Sequence, residues 1–308
     1  MAKIFLFIIM LLIVSSMCFA QGTSTPLYVP GKYEISLGDR TYGAFLPQKF
    51  NGINRLPVVI YLHGSGGDAE SAYRDGIDQY AEKHGFILIS PQALRMTWWR
   101  SSSTRWNGGE WDGGSCCGTA DDVGFISMLI EDIKDKFRID NSRVYATGIS
   151  NGGLMVNRLA CELSDKIAAI ATVAPTAIPN PCVPSFALSV MNIHGTSDPC
   201  NPYDGSNPTG ICGTVDYTRM SPIQVVAKWR DILNCFGVPK TIYQKGKATC
   251  SSFECKDKKV VFCKVEDMGH TWPSGSQYLP ESIIGAVSYD LSMDQIWEFF
   301  HGLSIRKK

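Results

Sequence analysis

Residues 142–152 read Ser142-Arg143-Val144-Tyr145-Ala146-Thr147-Gly148-Ile149-Ser150-Asn151-Gly152. The first six carry Val, Tyr and Thr, side chains that suit a strand, and Leu154 to Leu163 continues as a helix. Ser150 therefore stands at a strand-to-helix junction with a glycine two residues to either side. A turn this sharp needs small flanking residues, and it lifts the serine hydroxyl above the end of a sheet.

Working outward, Pro57 to Leu62 is nearly all apolar, which suits a strand buried on both faces. It runs into His63-Gly64-Ser65-Gly66-Gly67, a loop free to turn tightly. Before it, Tyr33 to Leu37 and Arg40 to Leu46 flank a Gly38-Asp39 turn and predict a hairpin. After it, a helix over Ser71 to His84 leads to a strand over Phe86 to Ser90. Asp121 to Phe137 has helical periodicity, with Val123, Ile126, Leu129, Ile130 and Ile133 on one side.

Beyond the central junction, strands are expected at Ile167 to Val173 and Ser189 to His194, and a helix at Ile223 to Cys235. A cysteine-rich hairpin between Thr241 and Val265 and a closing helix, Asp290 to Phe300, complete the chain. Repeated strand-helix alternation predicts an α/β fold: a mostly parallel central sheet flanked by helices, in one catalytic domain over residues 21–308. Thr97 to Ala120 breaks the alternation. It reads as a long irregular loop carrying Trp98, Trp99, Trp106 and Trp111, and its length suggests a binding role.

Lys3, the apolar run Ile4 to Val14 and the small residues around Cys18-Phe19-Ala20 read as a cleaved signal peptide over residues 1–20. The apolar run is too short for a comfortable membrane span, and no other long one occurs, so a secreted, extracellular protein with no stable membrane span is expected. Acidic and basic side chains balance at 29 each, which gives no electrostatic case for nucleic acid. A monomer is expected. Ten of the eleven cysteines lie beyond residue 20, an even set that suits four or five disulfides. Adjacent Cys116 and Cys117 are expected to bond to different partners, because a vicinal bridge is strained.

A serine hydroxyl is a weak nucleophile unless a base takes its proton and an acid orients that base. Among five histidines, His270 follows a strand-like segment late in the chain, where an α/β-hydrolase fold places its base. The acid belongs between serine and histidine. Asp198, after the strand ending at His194 and before Pro199, is the candidate, with Asp204 and Asp216 as loop competitors. A developing oxyanion needs N–H donors, and the backbones of Asn151 and Ser65 are in position, with Gly66 an alternative to Ser65. His63 would then shape the turn. Such chemistry calls for no metal or organic cofactor.

These landmarks together resemble the secreted polyhydroxybutyrate depolymerase and feruloyl esterase family, also described as LpqC-like. The resemblance spans roughly residues 31–275 and rests on Leu62 to Gly67, Cys116-Cys117-Gly118 followed by Asp121 to Phe125, Gly148 to Gly152, His194 to Asp198, and Gly269-His270-Thr271-Trp272-Pro273. It implies an acylating serine mechanism on carboxylic esters, with Ser150 as nucleophile, Asp198 as acid and His270 as base. The implied substrate is an ester-bearing polysaccharide or a polyester: feruloyl groups on plant cell wall first, with acetylated xylan or polyhydroxybutyrate as alternatives. Trp272, Trp106 and Trp111 are the expected substrate-binding aromatics.

Overall fold

The computed structural model describes residues 28–98, 101–111, 114–208, 212 and 218–305. The expected signal segment 1–20, Trp99 and Asp216 lie outside the described residues. In chain order come β1 (Gly31–Leu37), β2 (Arg40–Leu46), β3 (Val58–Leu62), α1 (Ser71–Arg74), α2 (Ile77–His84) and β4 (Ile87–Pro91). Two small hairpins follow, β5 (Arg95–Trp98) with β6 (Ser101–Thr104) and β7 (Gly109–Trp111) with β8 (Gly114–Cys116). The middle of the chain holds α3 (Asp122–Phe137), β9 (Val144–Ile149), α4 (Asn151–Glu162), β10 (Ala169–Val173) and β11 (Ser189–Gly195). The last part carries α5 (Pro222–Leu233), β12 (Lys240–Lys245), β13 (Ala248–Cys255), β14 (Lys258–Val265), α6 (Glu281–Ile284) and α7 (Met293–Phe300).

Ten strands form one sheet in the order β1-β2-β4-β3-β9-β10-β11-β14-β13-β12. The six from β4 to β14 run parallel, and antiparallel pairs extend both edges. This is the mostly parallel sheet flanked by helices that the alternation predicted. Strands β3, β4, β9, β10 and β11 are buried along their whole length, because apolar layers cover both faces. One layer takes Ile126 and Leu129 of α3, Leu159 of α4 and Trp229 of α5; the other takes Ile77 and Ala81 of α2 with Ile296 and Phe300 of α7.

Strand order reverses at β3. The chain goes first to β4 on one side of it and later to β9 on the other, so the C-terminal ends of β3 and β9 open a crevice between diverging connections. Leu62 pairs with Gly148, which sets the His63 to Gly67 loop beside the Ser150 turn.

Three expectations are corrected. The helix over Ser71 to His84 is two helices, parted where Gly76 takes a left-handed φ of 70° that an ordinary side chain resists. The tryptophan-bearing segment is more regular than expected, since it carries the two hairpins β5–β6 and β7–β8. Cys116 and Cys117 bond to each other, across a cis peptide, rather than to different partners. The other eight described cysteines pair as Cys161–Cys182, Cys200–Cys212, Cys235–Cys255 and Cys250–Cys263, which among the described residues leaves these two only one another.

Candidate active site

The turn after β9 holds Ser150 at φ 57° and ψ −121°, a conformation an L-residue keeps only when its surroundings impose it. Those surroundings are the two flanking glycines. A Cβ on Gly152 would lie 2.1 Å from the Leu62 carbonyl oxygen, and one on Gly148 would lie 2.6 Å from the same atom. The Gly-x-Ser-x-Gly spacing is therefore a matter of clearance against β3.

His270 follows β14, and Asp198 follows β11, the neighbouring parallel strand. His270 Nδ1 donates to Asp198 Oδ2 at 2.8 Å, and both side chains are buried. The other carboxylate oxygen accepts from the backbone N–H groups of Cys200 (2.8 Å) and Asn201 (2.7 Å), which fixes its plane. Burial alone would raise the Asp198 carboxyl, but the facing His270 charge and these bonds outweigh it and hold the group below the usual carboxylate range. With Nδ1 so engaged, Nε2 is the ring nitrogen left to exchange a proton. Ser150, His270 and Ser65 line one cleft of about 480 Å³. Of the competing acids, Asp204 is exposed.

His63 has a defined supporting role. Its Nε2 accepts from Ala93 N at 3.2 Å, so the ring proton is on Nδ1, which meets the Gly64 carbonyl at 2.7 Å. Burial lowers its pKa and keeps the ring neutral. Gly66 N–H donates to Thr104 O at 2.9 Å and Gly67 N–H to Gly64 O at 3.1 Å. Gly66 is thus already committed, whereas the Ser65 N–H has no protein acceptor among the described residues. Asn151 opens α4, where the first N–H groups of a helix have no intrahelical partner.

The expected aromatics divide. Trp272 lines the cleft and meets Tyr61 edge-on at 5.1 Å between ring centroids. Trp106 does not line it. Its side chain is 0% exposed, its Nε1–H donates to His63 O at 3.0 Å, and its backbone is gripped by the Asn151 amide. Trp111 packs instead with Cys116, Leu154 and Ala177, and its Nε1–H reaches Thr218 O at 3.2 Å. The expectation that these two face substrate is corrected: both are struts for the loop. Beneath that loop, Arg40 and Asp122 form a buried ion pair at 2.5 Å, and Asp122 also accepts from Asn107 N at 2.6 Å.

Several cleft residues went unmarked in the sequence: Tyr61, Asp75, Arg105, Arg219 and Tyr278. Asp75 accepts from the Tyr61 hydroxyl at 2.5 Å, and burial pushes its carboxyl up to about 6. The Asp75-Gly76 pair is a turn signal inside the apparent helix, and it could have drawn attention to this position. Tyr278 reaches over His270, its hydroxyl donating to His270 O at 3.0 Å.

The family model for esterase PHB depolymerase matches residues 40–212. Feruloyl esterase B of Piromyces equi is 33% identical over 242 residues, 74% of this chain and 42% of that protein. Feruloyl esterase B of Thermothelomyces thermophilus is 36% identical over 110 residues, 35% of each chain. Among solved structures, an acetyl xylan esterase from Aspergillus awamori superposes with a TM-score of 0.58 at 14% identity, covering 88% of this chain and 98% of that one, a likeness of fold.

Proposed function

The chain belongs to the esterase PHB depolymerase family, and on that premise we propose a secreted serine ester hydrolase that releases feruloyl groups from plant cell-wall polysaccharide. The observation that carries this reading is the cleft itself. Ser150, His270 and Ser65 share it with an aromatic and aliphatic wall of Tyr61, Trp272, Tyr278, Leu279 and Ile284, suited to a flat phenylpropenoyl group.

In the proposed cycle, His270 takes the Ser150 proton as the hydroxyl oxygen attacks the ester carbonyl. The oxyanion meets the N–H groups of Asn151 and Ser65. Asp198 keeps the imidazole oriented and stabilises its cation without taking the proton. His270 then protonates the departing alcohol, and a water activated by the same ring releases the acid and restores Ser150. Five disulfides support an oxidising, extracellular setting. Among the described residues no helix is long and apolar enough to cross a membrane.

The test is a hydrolysis panel of methyl ferulate, acetylated xylan and hydroxybutyrate oligomers, run with the native protein and with Ser150→Ala. Ferulate release by the native protein alone, with the variant folded, is expected. Release confined to the hydroxybutyrate oligomers overturns the substrate, and undiminished turnover by the variant overturns the nucleophile.

A further inference from the structure

The charged side chains lining the cleft are unevenly neutralised. Arg74 donates to Asp68 at 2.6 Å, and Asp75 accepts from Tyr61. Arg105 makes no ion pair with any described residue, and its Nε is buried without a hydrogen-bond partner. Its backbone is nonetheless firmly placed. Arg105 N donates to Leu94 O at 3.0 Å, the preceding Thr104 O accepts from Gly66 N, and the following Trp106 is held through its backbone by Asn151. The residue is thus tethered on one side to the Ser65–Gly66 loop and on the other to the residue after Ser150. Arg219, 7% exposed, lines the same cleft.

A half-buried guanidinium with no acidic partner is costly to desolvate, and a ligand that supplies an anion relieves that cost. The planar fork of arginine matches a carboxylate in geometry as well as charge. We propose that Arg105 binds a carboxylate carried by the substrate, so the cleft favours esters on acidic saccharides or on hydroxyacid chains ending in a free acid. This rests on the reading of Ser150 as the nucleophile of the cleft.

The experiment measures binding, so that turnover is not required. Ser150→Ala protein is titrated by calorimetry at low salt with two matched pairs. One is an acetylated xylo-oligosaccharide with and without a glucuronate branch; the other is a hydroxybutyrate trimer as free acid and as methyl ester. The acidic member of at least one pair should bind about tenfold more tightly, and the pair that discriminates identifies the source of the carboxylate. Adding Arg105→Gln should bring the ratio to within about twofold, while Arg105→Lys should retain part of it. Equal binding within both pairs, or a ratio untouched by Arg105→Gln, overturns the proposal. Continued hydrolysis by the Ser150→Ala protein would instead overturn the nucleophile, leaving the comparison of affinities to report on Arg105.

Discussion

Asn151 holds Trp106 at both ends of one residue: its side-chain oxygen accepts from Trp106 N at 2.7 Å and its amide donates to Trp106 O at 2.9 Å. The side chain following Ser150 is thereby the clamp for the loop whose Thr104 in turn holds Gly66. Asn151→Ala keeps the backbone N–H but frees the loop. It should cost about 1–3 kcal/mol of stability and lower kcat by roughly 10–100-fold, less than the roughly 10²–10³ lost when an oxyanion donor is removed outright. Thermal unfolding and steady-state kinetics check both. An unchanged kcat with a lowered Tm would restrict the clamp to a structural role.

Asp198→Asn leaves size and fold intact, yet it should lower kcat by about 10⁴. The amide oxygen must stay with the Cys200 and Asn201 N–H groups, so the new NH₂ faces His270 Nδ1 and demands an unprotonated nitrogen there. The ring proton moves to Nε2, where the base should be free. Near-native kcat in this variant would remove Asp198 from the mechanism.

Gly152→Ala tests clearance rather than chemistry. A methyl 2.1 Å from the Leu62 carbonyl oxygen and 2.6 Å from that of His63 cannot be absorbed by a flexible side chain, because both contacts are backbone. A loss of about 3 kcal/mol or more is expected by denaturant unfolding. A loss below about 1 kcal/mol would show that β3 and α4 can part at the turn without penalty.

Asp75 should make stability depend on pH. Its carboxyl is raised to about 6 in the folded protein from a usual value near 3.8, so the folded state holds the proton more tightly than the unfolded chain does. The contribution is favourable below about pH 4 and is lost as pH rises through about 6, on the order of 1 kcal/mol for a partly buried group. Asp75→Asn removes the titration and retains an acceptor for the Tyr61 hydroxyl. Its Tm relative to the native protein should therefore rise between pH 4 and pH 7. A difference that stays flat or falls contradicts the assignment.

The central sheet and the Ser150 turn were legible because their signals are local: apolar runs for buried parallel strands, and two glycines at the spacing that β3 clearance demands. That Asp198 and His270 come together was legible from their places after strand ends in the expected order. Trp106 was not, because an indole in a polar loop looks the same whether it meets substrate or closes over the His63 carbonyl. Asp75 was hidden for a related reason. Helical spacing extends through it on both sides, and only the left-handed Gly76 turns it toward Tyr61. Cysteine pairing depends on which strands become neighbours, as with Cys250 and Cys263 opposite one another on β13 and β14.

The bonds from Thr104, Ala93, Trp106 and Asn151 fasten the segment over the cleft to the ends of β3 and β9. So many bonds leave the Arg105 segment few ways to rearrange, and the wall it contributes to the cleft is set before any ligand arrives.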